Sequence, residues 1–234
     1  MTAQTGDRRA QIVAAAGRVI AREGAAAVTT RKIAGEAGIN LATLHFLFGS
    51  KDALLVAVLD QVTGLMIAAL GTPMRARQGR RTALAQTATA LWALADREPW
   101  LPLVRCELLL YLRRRPAYEE EARAEQRRYV STLAAHCHGA RATTDGRVVC
   151  KTLGELVAST VDGLALHGAF VDSTQTRKRL RAQALRGVLA LIEGDLPPPG
   201  ASPDSAKRTH RGTLRRQRPA TRGTSLAMGT SGQE

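Results

Sequence analysis

The residues with the clearest chemical meaning run from Thr29 to Lys51: Thr29-Thr30-Arg31-Lys32-Ile33-Ala34-Gly35-Glu36-Ala37-Gly38-Ile39-Asn40-Leu41-Ala42-Thr43-Leu44-His45-Phe46-Leu47-Phe48-Gly49-Ser50-Lys51. Cations stand where helices are expected to begin, at Arg31-Lys32 and Lys51, and again upstream at Arg8-Arg9. A helix N-terminus carries partial positive charge and ordinarily favours Asp or Glu. A cation beside that charge makes physical sense when both share an anion, and a phosphate fits this directly. The chemistry these residues suit is therefore anion binding.

Helices must hold these groups in place, and the same run supplies their start and stop signals. Thr29 is expected to cap a short helix whose Ile33 points inward and whose Ala34 is small enough to let a second helix cross closely. Gly38 suits a turn with positive φ, Ile39 is the apolar residue of that turn, and Asn40 is a strong cap for the next helix. In that helix Leu44 and Leu47 face the core at i, i+3, which leaves Leu41, Ala42, Thr43, His45 and Phe46 nearer the outer face. Two short helices joined by a glycine turn form a unit that lays its second helix in the DNA major groove.

Chemistry of other kinds has little support. The chain has no glycine-rich phosphate loop, nucleophile elbow or acid pair with a matched base, so no catalytic residue is expected. His136-Cys137-His138, with Cys106 and Cys150 elsewhere, lacks the paired spacing of a metal site, so neither a metal nor a cofactor is expected. Glu119-Glu120-Glu121 reads as a solvated face at a helix start, where acids suit the dipole.

Nearly every segment from Arg8 to Glu193 has helical periodicity, and strand-like alternation is almost absent. The expected helices span 8–23 (capped by Asp7 and stopped by Gly24), 30–36, 41–47, 51–70, 80–96, 100–114, 116–138, 145–171 and 176–193. Pro99 and Pro116 are placed in first turns, where a missing N–H is harmless. After Leu196 the composition shifts to Pro, Gly, Ser, Thr and Arg, which cannot bury enough surface to offset the entropy of ordering. The fold class expected is all-α, in three parts. A head at residues 6–66 carries the helix-turn-helix, a larger helical domain spans 67–196, and a disordered basic tail covers 197–234.

The chain has 34 Lys and Arg against 20 Asp and Glu, for a net charge of +14. Residues 1–60 hold seven cations and five anions, whereas the tail holds seven cations and two anions. Such excess positive charge favours polyanionic partners. No run of 18 apolar residues suggests a membrane span, and the N-terminus lacks the apolar core of a secretory signal. Three cysteines without a CxxC pair fit a reducing compartment, so a cytoplasmic location is expected.

Residues 8–60 resemble the DNA-binding head of the TetR family of transcription regulators. Thr29, Ile33, Ala34, Ala37, Gly38, Ile39, Asn40, Thr43, Leu44, Phe48, Ser50, Lys51 and Leu54 meet the family pattern. Two positions depart from it: His45 stands where Tyr is usual, and Leu47 where His or Tyr is usual. The resemblance implies phosphate contacts from Thr30, Arg31, Thr43 and Lys51, with Thr29 and Asn40 framing them. It also implies that Leu41, Ala42, His45 and Phe46 lie near base edges, where Leu41 and Ala42 read only thymine methyls or fit.

The rest of the chain resembles the family in kind, as a helical effector-binding and dimerisation domain. An apolar stripe on the last two helices offers Leu153, Val157, Thr160, Leu164, Leu180, Ala184 and Val188 as a homodimer interface, alongside the bland reading that these are intrachain core. By the family plan, an unidentified small-molecule effector would bind among the middle helices. Trp92, Glu107, Tyr111, Tyr129, His136 and His167 are its candidate lining. The function expected is a ligand-responsive repressor that binds a palindromic double-stranded DNA operator as a dimer. The alternatives are a constitutive architectural DNA binder, which explains the charge but not the motif, and a helical enzyme.

Overall fold

A computed structural model of the protein describes residues 2–71, 79–136 and 144–193. The described residues form nine α-helices and no strand. They are α1 (Thr2–Glu23), α2 (Thr30–Glu36), α3 (Leu41–Phe48), α4 (Lys51–Ala68), α5 (Arg80–Arg97), α6 (Trp100–Arg113), α7 (Glu119–His136), α8 (Thr144–Gly168) and α9 (Thr174–Glu193). Cys137, His138 and the basic tail at 197–234 lie outside the described residues.

The head forms because one apolar stripe of α1 (Ile12, Ala16, Val19, Ile20) meets Ile33 and Ala34 of α2, Leu44 and Phe48 of α3, and Leu54, Leu55 and Val58 of α4, all buried. Gly24 ends α1 at φ +82°, and its N–H donates to Ile20 O at 2.8 Å. A left-handed glycine at a helix C-terminus satisfies carbonyls that would otherwise lack partners. The core continues without a break through Val62 and Met66 into Leu91, Leu101, Val104, Leu108, Leu133 and Leu153, so nothing in the packing marks an edge at residue 66.

Two expectations are corrected at helix starts. α1 begins at Thr2 rather than Arg8, so Asp7 lies inside the helix and caps nothing. The polar run before Arg8 has no apolar period to reveal it, and its Gly6 disfavours a helix interior by only about 1 kcal/mol. Arg8 and Arg9 therefore do not sit at a helix N-terminus. Pro116 stands in the turn three residues ahead of Glu119 rather than in the first turn of α7.

α7 and α8 make the most extensive helix pairing, followed by α4 and α6. Gly154 explains how α8 comes so close: a Cβ built there would lie 2.7 Å from Val130 O and 2.8 Å from Ala134 N. Among the described residues no single helix is long and apolar enough to cross a membrane.

Candidate nucleic-acid interface

The turn between α2 and α3 is built as its residue types dictate. Thr29 Oγ1 accepts the Lys32 N–H at 3.3 Å and caps α2. Gly38 adopts φ +65°, which lets Ile39 N–H reach Ala34 O at 3.0 Å. Asn40 Oδ1 then accepts both the Thr43 N–H at 2.7 Å and the Thr43 hydroxyl at 2.8 Å, which fixes the start of α3. Leu44 and Phe48 are buried, Leu41 and Leu47 half-buried, and Ala42, His45 and Phe46 exposed. Phe46 stands out, with 88% of its surface open to solvent.

Ser50 caps α4 through the Ala53 N–H at 3.0 Å, a role the family pattern contains but that charge placement alone does not show. α1 braces the reading helix from behind. Arg9 donates to Leu47 O at 2.7 Å and lies over the Phe48 ring, 4.3 Å from its centre. Gln11 donates to Ala37 O at 3.0 Å, which ties α1 to the end of α2.

The cations of the head are mostly engaged within the protein. Arg18 and Arg22 each bond Glu36 at 2.8 Å, and their hydrogen bonds hold its carboxyl below the ordinary carboxylate value. Lys32 pairs with Glu23. Lys51 turns inward: its Nζ donates to Ala25 O at 3.2 Å and sits 5.3 Å from the centre of the Tyr111 ring. Arg31 is exposed and Thr30 half-buried at the first turn of α2.

A polar seam joins this head to α6 and to the turn that follows it. Glu107 accepts the Ala25 N–H at 2.7 Å, Tyr111 donates to Asp52 at 3.1 Å, and Ser50 Oγ meets Tyr118 OH at 2.9 Å. Arg115 bonds the Tyr111 hydroxyl at 2.6 Å and lies 3.5 Å from Asp52.

The six candidate effector residues do not converge on one pocket. Glu107 and Tyr111 belong to the seam. His136 is buried between Thr132 O and Gly71 O, and His167 is exposed at the end of α8. Trp92 walls a void of about 10 Å³ with Ala88, Val157 and Val161. Tyr129 is fully buried beneath Arg105, whose guanidinium carbon lies 3.9 Å from the ring centre.

Arg105 was not anticipated from sequence. Its side chain is 0% exposed, yet it donates to Asp162 at 2.9 Å and to the side-chain Oε1 of Gln126, joining α6, α8 and α7. Burial pushes the Asp162 carboxyl up despite the pull of Arg105, raises the Tyr129 phenol, and moves the Cys106 thiol to about 11. One turn away along α6 and α8, a cavity of about 290 Å³ opens between Pro102, Leu103, Leu164 and Ala165, with Arg177 and Arg181 contributed by α9.

The proposed interface stripe also divides. Leu153 and Val157 are 0% and 2% exposed within the single chain, and Val188 is 9% exposed. Leu153 and Val157 therefore cannot face a partner. The apolar period identifies their stripe correctly, but one chain already covers it. Thr160, Leu164, Leu180 and Ala184 stay half-exposed, while Leu166 and Phe170, absent from the sequence-based set, are 55% and 82% exposed.

A capped glycine turn that carries an outward-facing second helix on a three-helix support defines a helix-turn-helix DNA-binding protein. Comparison agrees: residues 12–58 match the family described as bacterial regulatory proteins, tetR family. The HTH-type nicotine-responsive transcriptional repressor HdnoR of Paenarthrobacter nicotinovorans is 24% identical over 179 residues, 76% of this chain and 92% of that protein. The HTH-type transcriptional regulator BetI of Rhizobium meliloti (strain 1021) is 46% identical over 57 residues, 24% of this chain and 28% of that protein. A solved regulator, SCO7518 from Streptomyces coelicolor A3(2), shares 28% identity at a TM-score of 0.59, over 79% of this chain and 97% of that one. Residues 12–58 are thus a DNA-binding head of the tetR type, and the rest of the chain shares the helical fold of such regulators.

Proposed function

We propose that this protein is a cytoplasmic, ligand-responsive repressor that binds a palindromic operator as a homodimer, with α3 in the major groove. The observation that carries the reading is α3 itself, capped by Asn40 and presenting Ala42, His45 and Phe46 to solvent. Thr30 and Arg31 lie at the first turn of α2, where side chain and helix dipole together suit a backbone phosphate. Lys51 acts differently from the family expectation: it anchors α4 against Ala25 and positions the head rather than reaching outward.

Ligand response is supported by a relative named as nicotine-responsive and by the cavity between α6, α8 and α9. Its volume of about 290 Å³ suits a small organic molecule. The effector enters there and senses the Arg105–Asp162 pair one turn deeper. Because Glu107 on the same helix holds Ala25, displacement of α6 is transmitted to the head.

Pairing of two heads follows from half-site geometry. The proposed partner face comprises Leu166 and Phe170 with Thr160, Leu164, Leu180 and Ala184. Light scattering without DNA should give twice the 25.0 kDa chain mass, and a clean monomer would rule the dimer out. Leu166→Glu should yield a folded monomer with weakened operator binding, since that side chain is 55% exposed in the single chain. Recovery of bound genomic fragments should return one short palindrome. Uniform coverage would favour an architectural DNA binder instead.

A further inference from the structure

The sequence of α3 is Leu-Ala-Thr-Leu-His-Phe-Leu-Phe, without arginine, lysine, asparagine, glutamine or an acid. Those are the side chains that read base edges by paired hydrogen bonds. Asn40, just ahead of the helix, has its Oδ1 committed to Thr43, and the Thr43 hydroxyl proton is committed to Asn40 in return. His45 remains as the exposed polar side chain of the helix. What α3 offers the groove is mainly apolar. Ala42 and Phe46 are four residues apart, so they share one face, and both are exposed, Phe46 by 88%.

The major groove has one apolar feature, the C5-methyl of thymine, which 5-methylcytosine reproduces. We propose that Phe46, with Ala42 beside it, selects the half-site by contact with pyrimidine C5-methyl groups, so that the operator is read chiefly by methyl position. Phe46 is then a specificity-determining residue. Its ring, left in water in the free protein, gains a dry contact only where a methyl stands in register. A cytosine at that position is rejected for lacking the methyl, and is accepted once methylated. This inference rests on the placement of α3 in the major groove.

The test starts from random-sequence duplexes, selected on the full-length protein until a motif is enriched. The selected duplex is then remade with each thymine replaced singly by uracil, which differs only in the missing methyl. Loss of the contacted methyl should weaken binding about fourfold at one or two positions per half-site. Phe46→Ala, which alters an exposed side chain and should leave the melting temperature unchanged, should bind thymine and uracil equally at those positions. Replacing the same thymine–adenine pair by 5-methylcytosine–guanine should retain more affinity than unmethylated cytosine–guanine. If every uracil duplex binds like its parent, methyl reading is wrong, and if Phe46→Ala still separates thymine from uracil at those positions, Phe46 is not the specificity-determining residue; either result overturns this inference although the regulator assignment stands. If no motif is enriched, sequence-specific binding itself fails, and this inference falls with it.

Discussion

Replacing Asp162 by Ala should lower the unfolding free energy by about 3 kcal/mol, because it strands the Arg105 charge in the interior. Arg105 is 0% exposed and bridges three helices, so its guanidinium cannot swing out to water when its partner goes. The loss falls at the low end of the range for such changes because the Asp162 side chain retains 19% exposure. Urea unfolding should show a lower midpoint with an unchanged slope. The double change Arg105→Leu with Asp162→Leu should recover much of the loss, since removing both charges removes the desolvation penalty as well. A single Asp162→Ala as stable as the parent would mean that the pair contributes nothing.

The pH dependence of this pair has an uncommon sign. Burial raises the folded pKa of Asp162 above its unfolded value, so the folded state holds the proton more tightly. Its protonation contributes stability that is fully present below the unfolded carboxylate pKa and is lost as pH rises through the folded one. Measured against Asp162→Asn, the parent should therefore lose relative stability as pH climbs through that window. Glu36 behaves oppositely: its pKa is lowered by Arg18 and Arg22, so its contribution is present above the unfolded carboxylate pKa and lost in acid.

Gly154→Ala should destabilise the protein by about 3 kcal/mol, at the upper end for overpacking. The new methyl would meet Val130 O at 2.7 Å and Ala134 N at 2.8 Å, both backbone atoms of α7 that no rotamer change can move. The helix-propensity gain of about 1 kcal/mol for Ala over Gly opposes this but is too small to win. Gly64→Ala in α4 is the control. Nothing lies within 4 Å of where its methyl would stand, so that change should stabilise by about 0.5–1 kcal/mol. Ala134→Gly should rescue Gly154→Ala only in part, since it removes the third-closest contact at 3.0 Å and leaves the first two. Equal effects at Gly154 and Gly64 in thermal melts would refute close approach of α7 and α8.

Legibility in the sequence followed the range of the interaction. Thr29, Gly38 and Asn40 act on residues within five positions of themselves, and the turn they build was readable for that reason. The partner of Arg105 lies 57 residues away, and among so many arginines nothing local distinguishes it. Gly154 likewise reads as an ordinary glycine within a helix until α7 is placed against it. For Leu153 and Val157 the apolar period found the stripe, but periodicity gives only a direction of burial. It does not say whether the same chain or a second copy covers the stripe. The candidate effector residues scattered because residue type fixes neither depth nor aim: Glu107 and Tyr111 were spent on holding the head.

The internal engagement of the head's cations bears on how binding responds to ionic strength. Of the seven cations in residues 1–60, Arg9, Arg18, Arg22, Lys32 and Lys51 already bond protein oxygens, while Arg8 and Arg31 have no partner among the described residues. Salt weakens DNA binding because each phosphate neutralised sets condensed counterions free. Two unengaged cations release few of them, giving a slope of log affinity against log salt of about −2 per head. A dimer with two such heads has a slope of about −4, so occupancy governed by the heads alone should fall roughly tenfold when salt doubles. Any steeper salt dependence in the full chain would measure cations outside residues 1–60.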